Sequence, residues 1–371
     1  MKISVLLWRT LAYGLHKIHS SYSVPTALGL CMTSECNLRC SYCMTATFVP
    51  PKGSLTLKQV KYLLKKMPYI STICIQGLCE PFLNPETPAI LSWLKSQGYH
   101  ISFTTNGTVP LTGKILESTR NVDDFVISID TADPETFAEL RRGAKLETVM
   151  LNLKRVIDMK KRLGLTKHDN PPIHINAVVT TKNFHQMKDL IRMLGPLSKD
   201  LTYLMVDPVS RPDYSVEAPL ALIHDKQFEK DLVDLREFVK TSQIPVVGLD
   251  YMLEPSYDWK DCPIAPMNLW LEPNGDMYYF YDFNYVFGNA FTDNPLRAFN
   301  NKKARLFRQK LQTNNPPLQQ CHSCNFARKG WQLQGGYLDR TRVLSGNKPM
   351  TFYEAVKHVL KVLTRKGRYT F

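Results

Sequence analysis

The chain lacks the sequence features of a membrane-spanning or exported protein. No apolar run among its 371 residues approaches the ~20 residues that a membrane span needs. The short apolar start is broken by Arg9 and no small-residue cleavage site follows it, so we do not expect a signal peptide. Without an export signal the expected location is the cytoplasm, where thiols stay reduced.

The chain also lacks a disulfide framework and an excess of acidic residues. Nine cysteines in 371 residues are too sparse for a disulfide scaffold, and their number is odd. Asp and Glu number 33 against 47 Lys and Arg, which gives a formal net charge of +14. An apolar fraction of 44% and a charged fraction of 22% are ordinary for a globular protein and argue against disorder. The cysteines and the positive charge are therefore the features to explain.

Strand and helix patterns alternate from residue 26 to about 245. The strand segments are almost continuously apolar, as parallel strands covered on both faces should be. Repeated strand–helix units predict an α/β fold with a parallel sheet, either a partial (β/α) barrel or a doubly wound sheet. The predicted strands are Thr26–Thr33, Thr72–Gln76, Ile101–Thr105, Phe125–Asp130, Ile173–Val179 and Leu201–Val206. The predicted helices are Leu55–Met67, Pro85–Ser96, Pro134–Arg141, Leu146–Leu163, Phe184–Leu194 and Phe228–Lys240.

A smaller α+β unit is predicted over residues 246–335. It contains a hairpin that joins Leu269–Leu271 to Met277–Tyr281 through an Asn-Gly turn, and a short helix around Ala304–Leu311. Residues 1–25 and 336–371 are predicted as an N-terminal amphipathic helix and a basic helical tail. Each is either packed on the body of the protein or forms a basic amphipathic surface that contacts an anionic membrane or an acidic partner.

Three cysteines follow the first predicted strand within eight residues. Cys36, Cys40 and Cys43 supply soft thiolate ligands, which suit iron–sulfur clusters. A loop can place three such ligands on three irons of a cubane and leave the fourth iron open to an exogenous ligand. A structural zinc site prefers four protein ligands, so zinc would need a further cysteine from elsewhere in the chain.

The spacing of these cysteines, with Tyr42 before the last one, resembles the motif of the radical S-adenosylmethionine (radical SAM) superfamily. The resemblance runs from residue 27 to about 245 and implies a partial (β/α)6 TIM-like barrel. The implied cofactors are S-adenosylmethionine (SAM) and a [4Fe-4S] cluster held by the three cysteines. The implied reaction is reductive cleavage of SAM to a 5′-deoxyadenosyl radical, which abstracts hydrogen from a substrate carbon. The implied electron donor is a flavodoxin or ferredoxin.

Later segments resemble the family's SAM-binding motifs in the same order. Residues 76–81 resemble its Gly-Gly-Glu-Pro motif, with Cys79 where glycine is usual. Each residue alone is common in unrelated proteins, so the interpretation depends on their joint order. The implied contacts are Gly77, Leu78 and Glu80 for the methionine amino group, Asn106 after the third strand, Ser128 and Asp130 for the ribose, Arg141 for the carboxylate, and Tyr42 near the adenine.

A second cysteine group resembles the SPASM and Twitch extensions of radical SAM enzymes, which hold auxiliary iron–sulfur clusters. Cys262, Cys321 and Cys324 match part of that pattern, but Phe280 stands where the hairpin cysteine belongs. Three interpretations remain open: a three-cysteine cluster that offers an iron to substrate, a cluster completed by Asp282, and a degenerate or zinc-binding site.

The remaining cysteines divide between core and site. Cys31 and Cys74 fall in apolar strands and are predicted to be small core residues. Cys79 lies at the strand-end face and is a candidate hydrogen donor to a substrate radical, as in radical epimerases.

The resemblance leaves the substrate open among several classes. It implies oxidation, crosslinking or epimerisation of a peptide, natural product or sugar, or the same chemistry on a lipid-linked or phosphorylated substrate at a membrane. A full leader-binding domain is not expected, because 35 residues precede Cys36 and 47 follow Cys324. The positive charge favours an acidic or anionic substrate. A basic nucleic-acid-binding protein with a structural metal centre is the alternative from another class, although no known nucleic-acid motif is present.

Overall fold

A computed structural model describes residues 22–46, 49–208, 226–249, 252, 262, 264–279, 285–315 and 321. Six parallel strands form the centre of its sheet, and each lies beside its successor in sequence. That order is the one of a partial (β/α)6 barrel, since a doubly wound sheet reverses its strand order at a switch point. These strands are β1 (Ala27–Leu30), β2 (Thr72–Ile75), β3 (His100–Thr105), β4 (Asp124–Ser128), β5 (Ile173–Val179) and β6 (Leu201–Pro208).

Helices occupy the connections between these strands and bury one apolar stripe each. The first begins at a capping box, in which the Thr56 side chain accepts from the Gln59 N–H and the Gln59 side chain accepts from the Thr56 N–H. It then buries Val60, Leu63 and Leu64. The helices are α1 (Leu57–Lys66), α2 (Thr87–Ser96), α3 (Gly113–Ser118), α4 (Pro134–Leu140), α5 (Leu146–Arg162), α6 (Met187–Leu194) and α7 (Lys226–Val239).

The C-terminal hairpin joins the barrel sheet at the free edge of β1. Strand β8 (Asn268–Leu271) pairs with β1 in parallel, and β9 (Asp276–Tyr278) pairs with β8 in antiparallel fashion. Trp270 lies against Gly29 so closely that a Cβ there would stand 2.2 Å from the indole. The glycine in β1 therefore gives the hairpin its close approach to the barrel. The remaining elements are β7 (Val246–Val247) on the far edge beside β6, α8 (Ile264–Met267), β10 (Gly288–Asn289), α9 (Pro295–Phe299) and α10 (Lys302–Gln312).

The structure confirms the six predicted strands and the hairpin, and differs at some element ends. Helix α2 begins at Thr87 and not at Pro85, because the Asn84 side chain bonds the Met32 and Leu55 carbonyls instead of capping a helix. The predicted N-terminal segment 1–25 and the predicted tail 336–371 lie outside the described residues except for 22–25, which form no helix. Among the described helices none is long and apolar enough to cross a membrane.

Candidate active site

The three-cysteine loop leaves β1 at the end of the barrel where all six parallel strands have their carboxyl ends. Ligands of parallel α/β folds bind at that end. Two backbone hydrogen bonds attach the loop to the segment after α4: Arg39 N–H donates to the Arg142 carbonyl at 2.9 Å, and Ser41 N–H donates to the Leu140 carbonyl at 2.8 Å. Leu38 of the same loop is buried. The loop therefore has a fixed position beside the strand ends.

The thiols of Cys36, Cys40 and Cys43 are partly buried and form no disulfide. Burial raises the pKa of Cys36 to about 11 and that of Cys40 to about 12, and in both cases the neighbouring Cys43 contributes to the rise. A bound cationic centre would deprotonate such thiols and be held by the resulting thiolates. The donor set therefore fits an iron–sulfur cluster.

Nowhere in the described part of the chain do three or more His, Cys, Asp or Glu side chains converge on one metal ion. A cubane does not require this convergence, because each of its cysteine ligands binds a different iron.

Two polar side chains contact the sulfurs of this loop. The Thr45 hydroxyl donates to Cys43 Sγ at 3.2 Å, and Asn106 Nδ2 lies 3.9 Å from Cys36 Sγ. Asn106 Nδ2 also donates to Asn37 Oδ1 at 3.0 Å, which ties the end of β3 to the loop. The sequence indicated Asn106 but not Thr45; the only signal for Thr45 was its position two residues after Cys43.

Glu80 is fully buried and bridges the loop after β2 to the end of β3. Its Oε1 accepts from Thr105 Oγ1 at 2.8 Å and from the Phe82 N–H at 3.2 Å, and its Oε2 accepts from the Asn106 N–H at 2.7 Å. Burial raises the pKa of Glu80 to about 7 against the lowering effect of these donors. A carboxylate offers about four acceptor positions, so one remains for an external donor.

Asp130, Arg141 and Tyr42 form a second buried group. Arg141 donates to both Asp130 oxygens, at 2.7 Å from Nε and 2.9 Å from Nη2. Tyr42 OH donates to Asp130 Oδ2 at 2.6 Å, and the Arg141 guanidinium lies 5.8 Å from the Tyr42 ring centroid. Burial lowers the pKa of Arg141, but the charge and hydrogen bonds of Asp130 together with Tyr42 and Cys40 outweigh this effect, and the net shift is upward. The structure thus brings together three of the residues that the motifs singled out.

The other predicted SAM contacts lie on the same end of the sheet. Gly77 follows β2 with a φ of +146°, a conformation that favours glycine. Leu78 is buried beside it, and Cys79 is half-buried. Ser128 is the last residue of β4. Their roles in binding SAM stay predictions.

The second cysteine group is only partly described. Cys262 and Cys321 are partly buried and pack against the hydrophobic core. Cys324, Phe280 and Asp282 lie outside the described residues. The auxiliary cluster therefore stays a prediction.

Cys31 is buried as the sequence predicted, yet it is not in purely apolar surroundings. Its thiol donates to Glu272 Oε1 at 3.3 Å, and Tyr278 OH donates to the same oxygen at 2.6 Å. Sequence reasoning missed this contact because Cys31 and Glu272 are 241 residues apart and only the pairing of β1 with β8 brings them together.

Residues 30–194 match the family model described as the Radical SAM superfamily. The chain carries a radical SAM domain. The cofactors of this superfamily are a [4Fe-4S] cluster and SAM, which are also the cofactors that the cysteine loop predicts. The resemblance to the radical SAM superfamily is confirmed over residues 30–194, and the predicted barrel fold is confirmed.

Curated relatives resemble this chain over about half of its length. It is 28% identical over 178 residues to the tungsten-containing aldehyde ferredoxin oxidoreductase cofactor-modifying protein of Pyrococcus furiosus, which is 46% of this chain and 48% of the relative. It is 31% identical over 195 residues to a probable GTP 3′,8-cyclase of Methanococcus aeolicus, which is 49% of this chain and 60% of the relative. The chain thus spans about half the length of the first of these relatives.

Two solved structures are similar in fold. Streptococcus suis SuiB bound to its precursor peptide SuiA has a TM-score of 0.63 and 17% identity, over 85% of this chain and 73% of SuiB. The protein anSMEcpe with bound AdoMet has a TM-score of 0.60 and 14% identity, over 91% of this chain and 95% of that one. At these identities the likeness concerns the fold.

Proposed function

We propose that this radical SAM enzyme cleaves SAM reductively and abstracts hydrogen from a carbon of an anionic substrate. The observation that carries the proposal is the position of the Cys36, Cys40 and Cys43 loop at the carboxyl end of β1, beside the ends of β2, β3 and β4. When bound, the cluster and SAM together supply a 5′-deoxyadenosyl radical. The protein's own part is to bind, orient and exclude water.

The residues around the loop are assigned roles that their contacts support. Cys36, Cys40 and Cys43 hold the cluster. Glu80 has one acceptor position left for the SAM amino group, and Asn106 connects it to the loop. The Arg141 guanidinium is held by Asp130, so it meets the SAM carboxylate with a fixed orientation.

Three further assignments rest on the contacts of Tyr42 and on positions at the strand ends. Tyr42 OH is oriented by Asp130, so its ring is fixed beside the Arg141 guanidinium, where it would contact the adenine of bound SAM. Gly77 and Leu78 offer backbone groups at the end of β2, and Ser128 with Asp130 lies where the ribose binds.

The positive charge of the chain supports an anionic substrate and an acidic electron donor. The whole chain carries a formal net charge of +14. Arg39, Arg142 and Lys145 are exposed on the two segments that hydrogen bonds join beside the loop. An acidic carrier such as flavodoxin or ferredoxin would be attracted to this surface and would bring its electron close to the cluster.

An acidic peptide is the substrate class that we favour. Its support is the positive charge together with the fold that the chain shares with SuiB, whose structure holds a precursor peptide. A phosphorylated or nucleotide substrate is the second candidate, because the curated relatives include enzymes named for GTP. Both are anionic, and the same surface charge would attract either.

Anaerobic reconstitution tests the proposed cofactor site. We expect iron and sulfide in the ratio of a [4Fe-4S] cluster, and an electron paramagnetic resonance (EPR) signal of the reduced cluster that changes when SAM is added. The Cys74→Ala variant, which removes a buried thiol of β2, should behave like the parent. A cluster signal that SAM leaves unchanged would contradict the proposal.

A further inference from the structure

Helices α1 and α10 contain cationic side chains and no acidic ones. Helix α1 has four lysines, α10 has five lysines and arginines, and neither has an Asp or a Glu. The whole chain carries a formal net charge of +14, so these two helices account for most of its excess positive charge. None of the roles assigned above uses them.

Helix α1 presents its lysines around one exposed aromatic ring. Positions 58, 61, 62 and 65 share one side of the helix, because residues three, four and seven apart lie on the same face. Lys58, Lys61 and Lys65 are exposed there, and Tyr62 between them is 48% exposed. This side lies opposite the apolar stripe that α1 buries, so it faces solvent.

Helix α10 repeats the arrangement around an exposed leucine. Leu306 is 44% exposed, and the exposed Lys302 and Lys310 stand four residues before and after it. The side chains that α10 buries lie on its other side: Ala304, Phe307, Arg308 and Leu311.

The turn after β10 attaches α1 to the unit that carries α10. Lys66 Nζ, at the end of α1, donates to the Ala290 carbonyl at 2.8 Å and to the Asp293 carbonyl at 2.7 Å. The Tyr62 ring stacks on Phe291 with 6.4 Å between the ring centroids. Helices α9 and α10 follow this turn in the chain. We call the outward side chains of both helices together the basic face: Lys58, Lys61, Tyr62, Lys65, Lys302, Leu306 and Lys310.

The lysines of the basic face differ from other lysines of the protein in their lack of carboxylate neighbours. Lys161 of α5 lies 2.9 Å from an Asp200 oxygen, and Lys188 of α6 pairs with Asp234. Within the part of the chain that the structure describes, no lysine of the basic face forms such an ion pair. The face therefore attracts a partner that supplies the negative charge.

The aromatic rings near α1 are a poor platform for nucleic acid. Single-stranded nucleic acid binds by stacking its bases on open aromatic faces. Here Lys61 Nζ lies 5.6 Å from the Trp93 ring centroid, and Lys66 Nζ lies 5.2 Å from that of Tyr62, which also stacks on Phe291. These rings are thus already covered by the protein's own side chains.

A lipid bilayer makes different demands, and the basic face meets them. Anionic headgroups attract each nearby lysine separately and require no shape complementarity. Tyrosine is favoured at the headgroup level because its ring is apolar and its hydroxyl is polar. A protein partner, in contrast, is held by a well-packed and desolvated centre, which a row of separate exposed lysines does not offer.

We propose that the basic face docks the enzyme on a membrane surface that contains anionic phospholipids. The lysines bind the headgroups, and Tyr62 and Leu306 enter the headgroup layer. None of these residues belongs to the cofactor site, so the docking surface and the proposed function can fail independently. An enzyme held in this way meets anionic substrates that are anchored in the same membrane.

The first experiment measures binding of the full-length, reconstituted protein to sedimented vesicles. We expect binding to vesicles of phosphatidylcholine with phosphatidylglycerol, no binding to phosphatidylcholine alone, and weaker binding as salt is added. The triple variant Lys58→Gln, Lys61→Gln, Lys65→Gln should bind about 100-fold more weakly, because each lysine near an anionic surface contributes about fivefold. A parent protein that binds neither kind of vesicle would overturn the proposal.

A second triple variant controls for net charge. Lys114→Gln, Lys154→Gln, Lys230→Gln removes three exposed lysines from α3, α5 and α7 and should keep the parental affinity for the vesicles. Far-UV circular dichroism and urea unfolding verify that both triple variants are folded. Equal losses of binding in the two would show that net charge and not the basic face determines binding, and would refute the docking surface.

The apolar contact is tested at constant charge. Leu306→Ser should weaken binding to the phosphatidylglycerol vesicles severalfold, because it removes the side chain that enters the headgroup layer. Leu151→Ser is the matched control, since Leu151 of α5 is 50% exposed and lies outside the basic face, and it should bind like the parent. The same affinity in both variants would contradict insertion of Leu306.

A fluorescent oligothymidylate tests the rival partner with the same proteins. We expect both triple variants to bind it equally. If the α1 variant loses oligonucleotide binding and keeps vesicle binding, the basic face is a nucleic-acid surface and the membrane proposal is wrong. Release of 5′-deoxyadenosine is measured separately, so a failure of the proposed function leaves these results decisive.

Discussion

Arg141 binds Asp130 through two parallel hydrogen bonds, Nε to Oδ2 at 2.7 Å and Nη2 to Oδ1 at 2.9 Å, with both side chains buried. Asp130 also accepts from the Val178 N–H at 3.0 Å. The pair therefore joins the segment after α4, the end of β4 and β5. It also fixes the guanidinium beside Tyr42, at the position proposed for the SAM carboxylate.

Removing one partner of this buried pair should be costly. We expect Arg141→Ala to lower the free energy of unfolding by about 3–5 kcal/mol, because it leaves the Asp130 carboxylate buried without its counter-charge. Arg142→Ala is the matched control, since Arg142 is the exposed neighbour, and it should change stability by less than about 0.5 kcal/mol. Urea unfolding of the three proteins makes the comparison; similar losses in both variants would contradict the role of the pair.

Glu80 predicts a specific pH dependence of stability. Its folded pKa of about 7 lies above the ordinary value of 4.5, so the fold favours the protonated form. The associated stability is fully present below pH 4.5 and is lost as the pH rises through 7. At 1.36 kcal/mol per pKa unit the loss is about 3 kcal/mol.

The Glu80→Gln variant isolates this contribution. It cannot ionise, so its free energy of unfolding should vary less between pH 4.5 and 7.5 than that of the parent. The variant should also be less stable than the parent at low pH. The amide nitrogen of glutamine cannot accept a hydrogen bond, so one of the three donors that bind Glu80 would lose its partner. Parallel pH profiles for the two proteins would show that Glu80 is not the group responsible.

Much of the fold could be predicted from the sequence because its signals are local. The runs of β1, β2 and β4 are mostly apolar and buried, a pattern that favours a parallel strand covered on both faces. Two elements gave no such signal: β7 has only two residues, and α3 begins at Gly113 in a stretch without helical periodicity.

The site residues also differ in whether the local sequence indicates them. The cysteine loop and Glu80 could be recognised because their neighbours in sequence form the motifs. The contact of Cys31 with Glu272 depends on the pairing of β1 with β8, and the contact of Arg141 with Asp130 depends on how α4 packs at the end of β4. No local pattern records such pairings.

Gly77 should tolerate no side chain. Gly77→Ala places a Cβ 2.4 Å from Cys31 Sγ at a φ of +146°, and it should lower the free energy of unfolding by about 2–4 kcal/mol. Cys31→Ala in the same chain removes the sulfur that would be struck and should recover part of the loss. A double-mutant cycle from thermal or urea unfolding measures this coupling. If the effects of the two substitutions on the free energy of unfolding simply add, Cys31 is not the group that excludes a side chain at position 77.

Thr45 should adjust the reduction potential of the cluster. Its hydroxyl donates to Cys43 Sγ at 3.2 Å, and hydrogen bonds to cluster sulfurs are one determinant of the potential. Thr45→Val removes the donor with little change in volume and should move the midpoint potential to more negative values. Thr45→Ser keeps the donor and should stay near the parent. Redox titration followed by EPR measures all three, and equal potentials in Thr45→Val and the parent would refute the contact's influence.

The decisive experiment is the release of 5′-deoxyadenosine from SAM by anaerobically reconstituted protein with dithionite. We expect release by the parent and by Cys74→Ala, and loss of at least about 100-fold in Cys36→Ala, Cys40→Ala and Cys43→Ala, because each substitution removes a cluster ligand. Undiminished release by any of these three variants, or none by the parent loaded with its cluster, would contradict the proposed function.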